Sequence, residues 1–419
     1  MQLNYLYILF LFILPNIMNG QQDTVKDTVK NQSANNQEEL KSTRINFMYS
    51  YYEQDGIHSP VTGGIGDEEL YDHGKKISVS VPIRNNINLS LLGGVDVYTS
   101  ASTDNINNEY DLDATETSAS YKDERIYSSI GLEKQNTSGY IIGINTGFSK
   151  EWDVNSINAG LSLAYLSKNE NTQIRLNTSY YKDKWDLIYP SELRLAVQIN
   201  PSSGLLENIK HSFNVSLMFS QIINKRLKMA LSIETIIQNG LLSTPFHRVY
   251  FNDATHNIER LPNKRFKIPF AIYSSYYMND WSILRFYYRF YSDDFEINAH
   301  TIQIETPVKV SSLIVLSPFY RIHNQNASTY FEPFAMHNPN SEYYTSDYDL
   351  SAFTSQKIGV GIKYAPLFGF LNKMSSESNK AMIRFKQLEI RTAKYFRINN
   401  SGTILKAYIG TFGVSYTIN

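Results

Sequence analysis

Two stretches of this 419-residue chain concentrate the residue types that perform chemistry. The first runs from Asp55 to Glu68 and holds His58, Ser59, Thr62, Asp67 and Glu68 among glycines 56, 63, 64 and 66. Such a stretch offers many backbone N–H groups, which cradle an anion or fold a loop tightly into a cavity. It lacks the Lys and the strand–loop–helix setting of a phosphate loop. Adjacent His58 and Ser59 project to opposite sides of an extended chain and cannot share a proton. The second stretch, residues 243–260, holds His247, Arg248, Asp253, His256, Glu259 and Arg260. Imidazoles beside carboxylates are the donors of a metal site, yet no His-x-x-x-His spacing is present. Ser243 and His247 are four residues apart, but Pro245 between them opposes the helix that would bring them together. No catalytic residue, metal ligand or cofactor is therefore assigned, and the chain is not read as an enzyme. Acidic side chains gather at Asp104, Glu109, Asp111, Asp113, Glu116, Asp123 and Glu124, and again at Asp347 and Asp349. They lack the Gly and bidentate Glu of an EF-hand loop, so they read as a solvated outer surface that holds divalent ions loosely.

Composition removes further classes. The chain has no cysteine, which excludes disulfides, thiolate metal sites and Cys nucleophiles. A net charge of −1 speaks against a nucleic-acid partner. The 31 Tyr and 22 Phe suit strands and the aromatic girdles of membrane barrels. A mean hydropathy of −0.33 is too polar for a bundle of membrane helices.

The elements that must carry these residues are strands. Phe412, Val414, Tyr416 and Ile418 alternate with Thr411, Gly413, Ser415 and Thr417. The same period of two recurs at 77–83, 87–97, 173–180, 213–220 and 284–290. With Gly413, Tyr416 and Ile418, the last segment resembles the signal that outer-membrane barrel assembly machinery reads. Half-apolar strands of this number form either a soluble sandwich or propeller, or a barrel with its apolar face toward lipid. The apparent strand length favours the barrel, since a tilted crossing needs about 9–11 residues. Turns fall into two kinds. Those at 85–86, 136–137, 168–171, 224–225 and 279–280 are tight, whereas 54–74, 99–123, 184–208, 239–264 and 324–354 are long. Short periplasmic turns and long outer loops are what a membrane barrel presents. Alternation of the two kinds gives about 16 strands, with 14 or 18 as neighbouring solutions, once 191–200 is placed in an outer loop. The expected fold is thus an all-β transmembrane antiparallel up-and-down β-barrel.

Residues 1–20 read as a signal peptide, whose apolar run from Tyr5 to Pro15 is too short to span a bilayer. Residues 21–42, polar and holding a duplicated Asp-Thr-Val-Lys, read as a periplasmic linker, and 43–419 as the barrel. A barrel this wide needs water, inward loops or a plug to fill it. Asp96, Arg175, Arg285 and Arg289 fall on polar faces, as do Glu305 and Glu389. Their mixed signs predict cross-strand pairing that stiffens the wall, without strong ion selectivity.

Several blocks resemble a family. They are Asp55 to Glu69, Asp96 to Ile106, Trp185 to Arg194, Leu242 to Phe251, Glu259 to Pro262 and Ser346 to Ser351. In order and content they are similar to domain of unknown function 3570, an outer-membrane family found mainly in Bacteroidetes-type bacteria. The resemblance implies a β-barrel in the bacterial outer membrane, in contact with lipid, lipopolysaccharide and the assembly machinery. It also implies gene neighbours encoding a small lipoprotein, a thioredoxin-like protein and a flavin-attaching transferase, hence an envelope redox or metal context. Two functions are expected from these readings. One is a pore or transporter for small solutes or ions. The other is a plugged barrel that docks a periplasmic or surface lipoprotein.

Overall fold

A computed structural model describes residues 42–99, 123–193, 206–366, 383–400 and 402–418. The expected signal peptide, nearly all of the linker and the acidic stretch 104–116 lie outside these residues.

Alternating apolar and polar side chains give long antiparallel strands. In chain order they are β1 (Thr43–Asp55), β2 (Leu70–Arg84), β3 (Ile87–Tyr98), β4 (Asp123–Gln135), β5 (Tyr140–Lys150), β6 (Val154–Leu166), β7 (Thr172–Leu187), β8 (Leu206–Asn224) and β9 (Leu227–Gly240). A hairpin within a loop follows, β10 (Arg248–Tyr250) and β11 (His256–Ile258). The wall resumes with β12 (Lys264–Asn279), β13 (Ser282–Asp293), β14 (Asn298–Glu305) and β15 (Val308–Lys309). It ends with β16 (Ile314–Gln325), β17 (Phe353–Tyr364), β18 (Ile383–Asn399) and β19 (Ile404–Ile418). Each strand of the wall pairs with the next one along the wall, β9 with β12 and β14 with β16 included, and β1 pairs with both β2 and β19, so the sheet closes on itself. β15 prolongs β14 beyond Pro307, where the missing N–H interrupts the ladder. The wall therefore has sixteen staves, as the turn pattern predicted. Closure leaves no unpaired sheet edge, which hydrocarbon would penalise.

The outward face is a belt of large apolar side chains. Ile142, Ile144, Ile157, Leu161 and Leu163 are each more than half exposed. A soluble monomer rarely exposes more than a few hundred Å² of contiguous apolar surface, so this belt belongs in lipid. The protein is a β-barrel of the bacterial outer membrane. Toward the loop end, three outward Tyr–His pairs repeat one diagonal cross-strand geometry. Tyr49 and His73, Tyr180 and His211, and Tyr288 and His300 approach to 2.8, 2.7 and 2.9 Å. Each side chain has an apolar body and a polar tip, as the interface requires.

The tight turns follow from asparagine. Asn136 Oδ1 accepts the N–H groups of Ser138 and Tyr140, and Gly139 takes φ 88°. Asn224 and Asn279 hold the turns at 225–226 and 280–281 in the same manner. On the opposite rim the long loops span 56–69, 241–263 and 326–352 among the described residues.

Candidate functional site

Three outer loops interlock. The loop at 56–69 joins β1 to β2, and that at 241–263 joins β9 to β12. Eight staves separate these two joints in either direction round the wall, so the loops rise from opposite sides of the outer mouth. They meet nonetheless. Arg248 Nη1 donates to the Val61 carbonyl at 2.8 Å, and its Nε and Nη2 clasp both oxygens of Glu192 at 2.5 and 3.1 Å. Tyr250 lies so close over Gly63, at φ 83°, that any Cβ there would collide with its ring. The loop at 326–352 rises midway between them, four staves from each joint. Ser346 Oγ donates to the Arg248 carbonyl at 2.7 Å, and Arg260 and Tyr344 exchange backbone hydrogen bonds of 3.1 and 2.7 Å. Together they make a cap that bridges the mouth.

Glu259 is the acceptor at the centre of this cap. Its carboxylate takes the Thr244 N–H at 2.6 Å, the Thr345 hydroxyl, and His247 Nδ1 at 3.5 Å. Both Glu259 and His247 are buried. Burial alone would raise the Glu259 pKa, but the His247 charge and the three donors hold it below the usual range. A depressed carboxyl stabilises above its unfolded pKa and loses that contribution as pH falls through the folded value. Strong acid therefore loosens the cap.

His58 is structural. Its ring stacks on Tyr348 at 3.7 Å between centroids. Nδ1 donates to the Gly64 carbonyl at 2.8 Å, while Nε2 accepts from Thr403 and Asn399 at 2.9 and 3.1 Å. These partners fix one neutral tautomer, and burial together with the charge of Arg397 lowers the pKa. Ser59 is fully buried, with its Oγ unpartnered. Thr62 Oγ1 bonds the carbonyls of Ser59 and Ile65. The N–H groups of Ser59, Thr62, Gly63 and Gly64 are all spent inside the loop, on Gly66, Ser59 and Pro60 carbonyls. That removes the anion cradle considered from the glycine spacing. Asp67 Oδ1 accepts the Glu69 N–H at 3.0 Å. Arg260 lies over the Tyr343 ring at 5.9 Å.

Glu68 carries a pH signal. Burial, with Asp349 and Asp347 nearby, pushes its pKa up to about 8 against the pull of Arg397. The Arg397 guanidinium lies 3.6 Å from Glu68 but bonds Asp349 more closely. A raised carboxyl stabilises fully below its unfolded pKa, and the contribution disappears as pH rises through about 8. Amide exchange in residues 56–69, corrected for intrinsic rates, will quicken between pH 5 and 9. Glu68→Gln will flatten that dependence, and an unchanged profile in the variant would refute the assignment.

The inner wall holds the remaining charged residues, and the fold sorts them. On β12–β18 the inward face carries Arg265, Lys267, Arg285, Arg289, Arg321, Lys357, Arg391 and Arg397 against Asp293, Glu305 and Glu389. On β2–β7 it carries Asp72, Asp96, Asp123, Glu133 and Asp183 against Lys76, Arg125 and Arg175. Several pair as expected. Arg175 reaches Glu133 at 2.9 Å, and Arg285 and Arg391 share Glu305 at 3.3 and 3.2 Å. Asp96 faces Arg125 and Lys76, and Arg289 lies over Tyr291 at 5.7 Å. Signs are mixed over β1–β9, where Lys210 pairs with Asp183 at 3.0 Å and Lys228 and Glu234 also face inward, whereas bases outnumber acids on β12–β18, which makes that side of the lumen the more positive.

At the outer ends of β3 and β4, carboxylate oxygens of Asp123, Glu151 and Asp153 lie within 4.8 Å of one another. Tyr98 OH is within 2.8 and 2.9 Å of Asp123 and Glu151, and Arg125 lies 3.6 Å from Glu151. Sequence reading noted Asp123 but not Glu151 or Asp153, which a turn 28 residues later supplies.

A family model described as "Protein of unknown function (DUF3570)" matches residues 16–377. The chain belongs to this family. No curated protein sequence matches this DUF3570 chain. Among solved structures, a ferric enterobactin receptor mutant from Pseudomonas aeruginosa is 11% identical with a TM-score of 0.42, over 85% of this chain and 54% of its own. CdiB from Acinetobacter baumannii is 10% identical with a TM-score of 0.47, over 89% and 60%. The outer membrane protein opdK from Pseudomonas aeruginosa is 8% identical with a TM-score of 0.41, over 89% and 99%. The DUF3570 chain spans little more than half the length of the first two.

Proposed function

We propose that this barrel is a pore for small polar solutes whose outer mouth is narrowed by the three-loop cap. The observation that carries this reading is a sixteen-stave wall with a charged and polar inner face. A wall of this size encloses more space than its own side chains fill. Among the described residues the cap crosses the mouth from one side to the other. Proteoliposomes holding the purified protein will swell in isosmotic small sugars and resist larger ones. Swelling no faster than protein-free vesicles, for every solute tried, would defeat the pore.

The same bridge supports a second reading, in which the cap is a permanent plug and the outer loops dock a surface lipoprotein. In that case stoichiometric co-purification from solubilised membranes accompanies zero swelling. Swelling without a co-purifying protein would reject it. No reaction is proposed for either reading.

A further inference from the structure

We propose that Arg321 and Lys357 form an oxyanion-binding site on the inner wall, taking a small organic carboxylate or phosphate. Cross-strand register sets Tyr287, Gln303, Arg321, Lys357 and Tyr395 side by side on one row across β13, β14, β16, β17 and β18. All share the inward parity of Arg285 and Arg289, whereas their outward neighbours Ile302, Tyr320 and Ile358 are exposed to lipid.

The partners of the two cations are neutral. Arg321 Nε donates to Gln303 Oε1 at 2.8 Å, and its guanidinium lies 5.8 Å from the Tyr287 ring centre. Lys357 Nζ lies 6.0 Å from the centre of Phe319. Neither forms an ion pair among the described residues. The nearest acids are already engaged, Glu305 by Arg285 and Arg391, and Glu389 by Arg391. Positive charge accumulates instead. Arg321 is within electrostatic reach of Arg289 and Arg391, and Lys357 of Arg321 and Arg391. A half-buried group of like charges raises the energy of the empty wall, and a bound anion relieves it.

The chemistry narrows the ligand. With Nε committed to Gln303, the two terminal nitrogens of Arg321 present a fork suited to two oxygens of one carboxylate or phosphate. Lys357, one stave away, adds a point charge. Tyr287 and Tyr273, 5.0 Å apart between ring centres, border the row with aromatic surface. A planar organic anion fits both features, since its oxyanion meets the fork and its ring lies along tyrosine.

The inference rests on the pore reading only for its biological use, and binding is measurable without transport. Detergent-solubilised full-length protein is titrated by calorimetry at low salt with benzoate, inorganic phosphate and neutral benzamide. Binding of either anion, with none of benzamide, is expected. Benzoate alone identifies a carboxylate site, and phosphate alone a phosphate site. In the double variant Arg321→Gln, Lys357→Gln the affinity falls about tenfold or more. Lys357→Arg retains binding, and heat-modifiable gel mobility verifies that each variant forms a closed barrel. No binding of either anion to the unaltered protein would overturn the site, as would equal binding to the folded double variant. Binding without vesicle swelling would refute the pore alone, and swelling without binding would refute this site alone.

Discussion

Glu259→Ala will release the cap and widen the mouth of the barrel. The substitution strips His247 Nδ1, the Thr345 hydroxyl and the Thr244 N–H of one shared acceptor in a buried setting. Leaving a buried donor without its acceptor costs about 1–3 kcal/mol, and three donors lose theirs together. That shifts a local open–closed equilibrium by roughly two to three decades. Amides in 241–263 and 326–352 should lose comparable protection from exchange, while those of β4–β8 keep theirs. If the barrel is the proposed pore, planar-bilayer recordings should show a higher conductance for the variant than for the unaltered protein. Retained loop protection in the variant would mean that the three loops do not depend on Glu259.

Leu161→Arg will impair insertion into bilayers. Leu161 lies mid-strand in β6, is 56% exposed and faces outward. An arginine on the lipid face near the midplane costs about 2–4 kcal/mol, and the cost falls to about 0–1 kcal/mol near the interfaces. Ile223, outward near the turn end of β8, is the matched control. Refolding into vesicles, followed by gel mobility and urea titration, should rank unaltered protein and Ile223→Arg together, with Leu161→Arg well below. Equal stability of the three would place this flank against protein instead of hydrocarbon.

Much of the architecture was legible because a strand writes its two faces in alternate letters. Ile174, Leu176 and Tyr180 face lipid and Arg175 faces inward, as their parity required. Asparagine marked the tight turns through its own hydrogen-bonding chemistry. The loops were harder. The histidines and carboxylates at 58, 68, 247 and 259 stood out as a chemical set, yet their partners are far along the chain. Thr345, Arg397 and Thr403 complete the bonding of Glu259, Glu68 and His58 from 86 to 345 positions away. Nothing local encodes such a meeting. Charge sorting was hidden for a related reason. Along the chain acids and bases intermix, and only the stave order gathers bases onto β12–β18. Arg321 and Lys357 were within reach of the same parity argument, since Ser317, Phe319, Arg321 and His323 alternate with apolar residues.

The bridge between residues 56–69 and 241–263 also fixes an order of events. Its two ends belong to hairpins half a circumference apart, so their mutual distance is set only when β1 has found β19. Until then Arg248 has no Val61 carbonyl to reach. Protection of these loops from proteases should consequently arrive late, after the cylinder has shut, and their clasp would serve as a latch certifying a finished molecule.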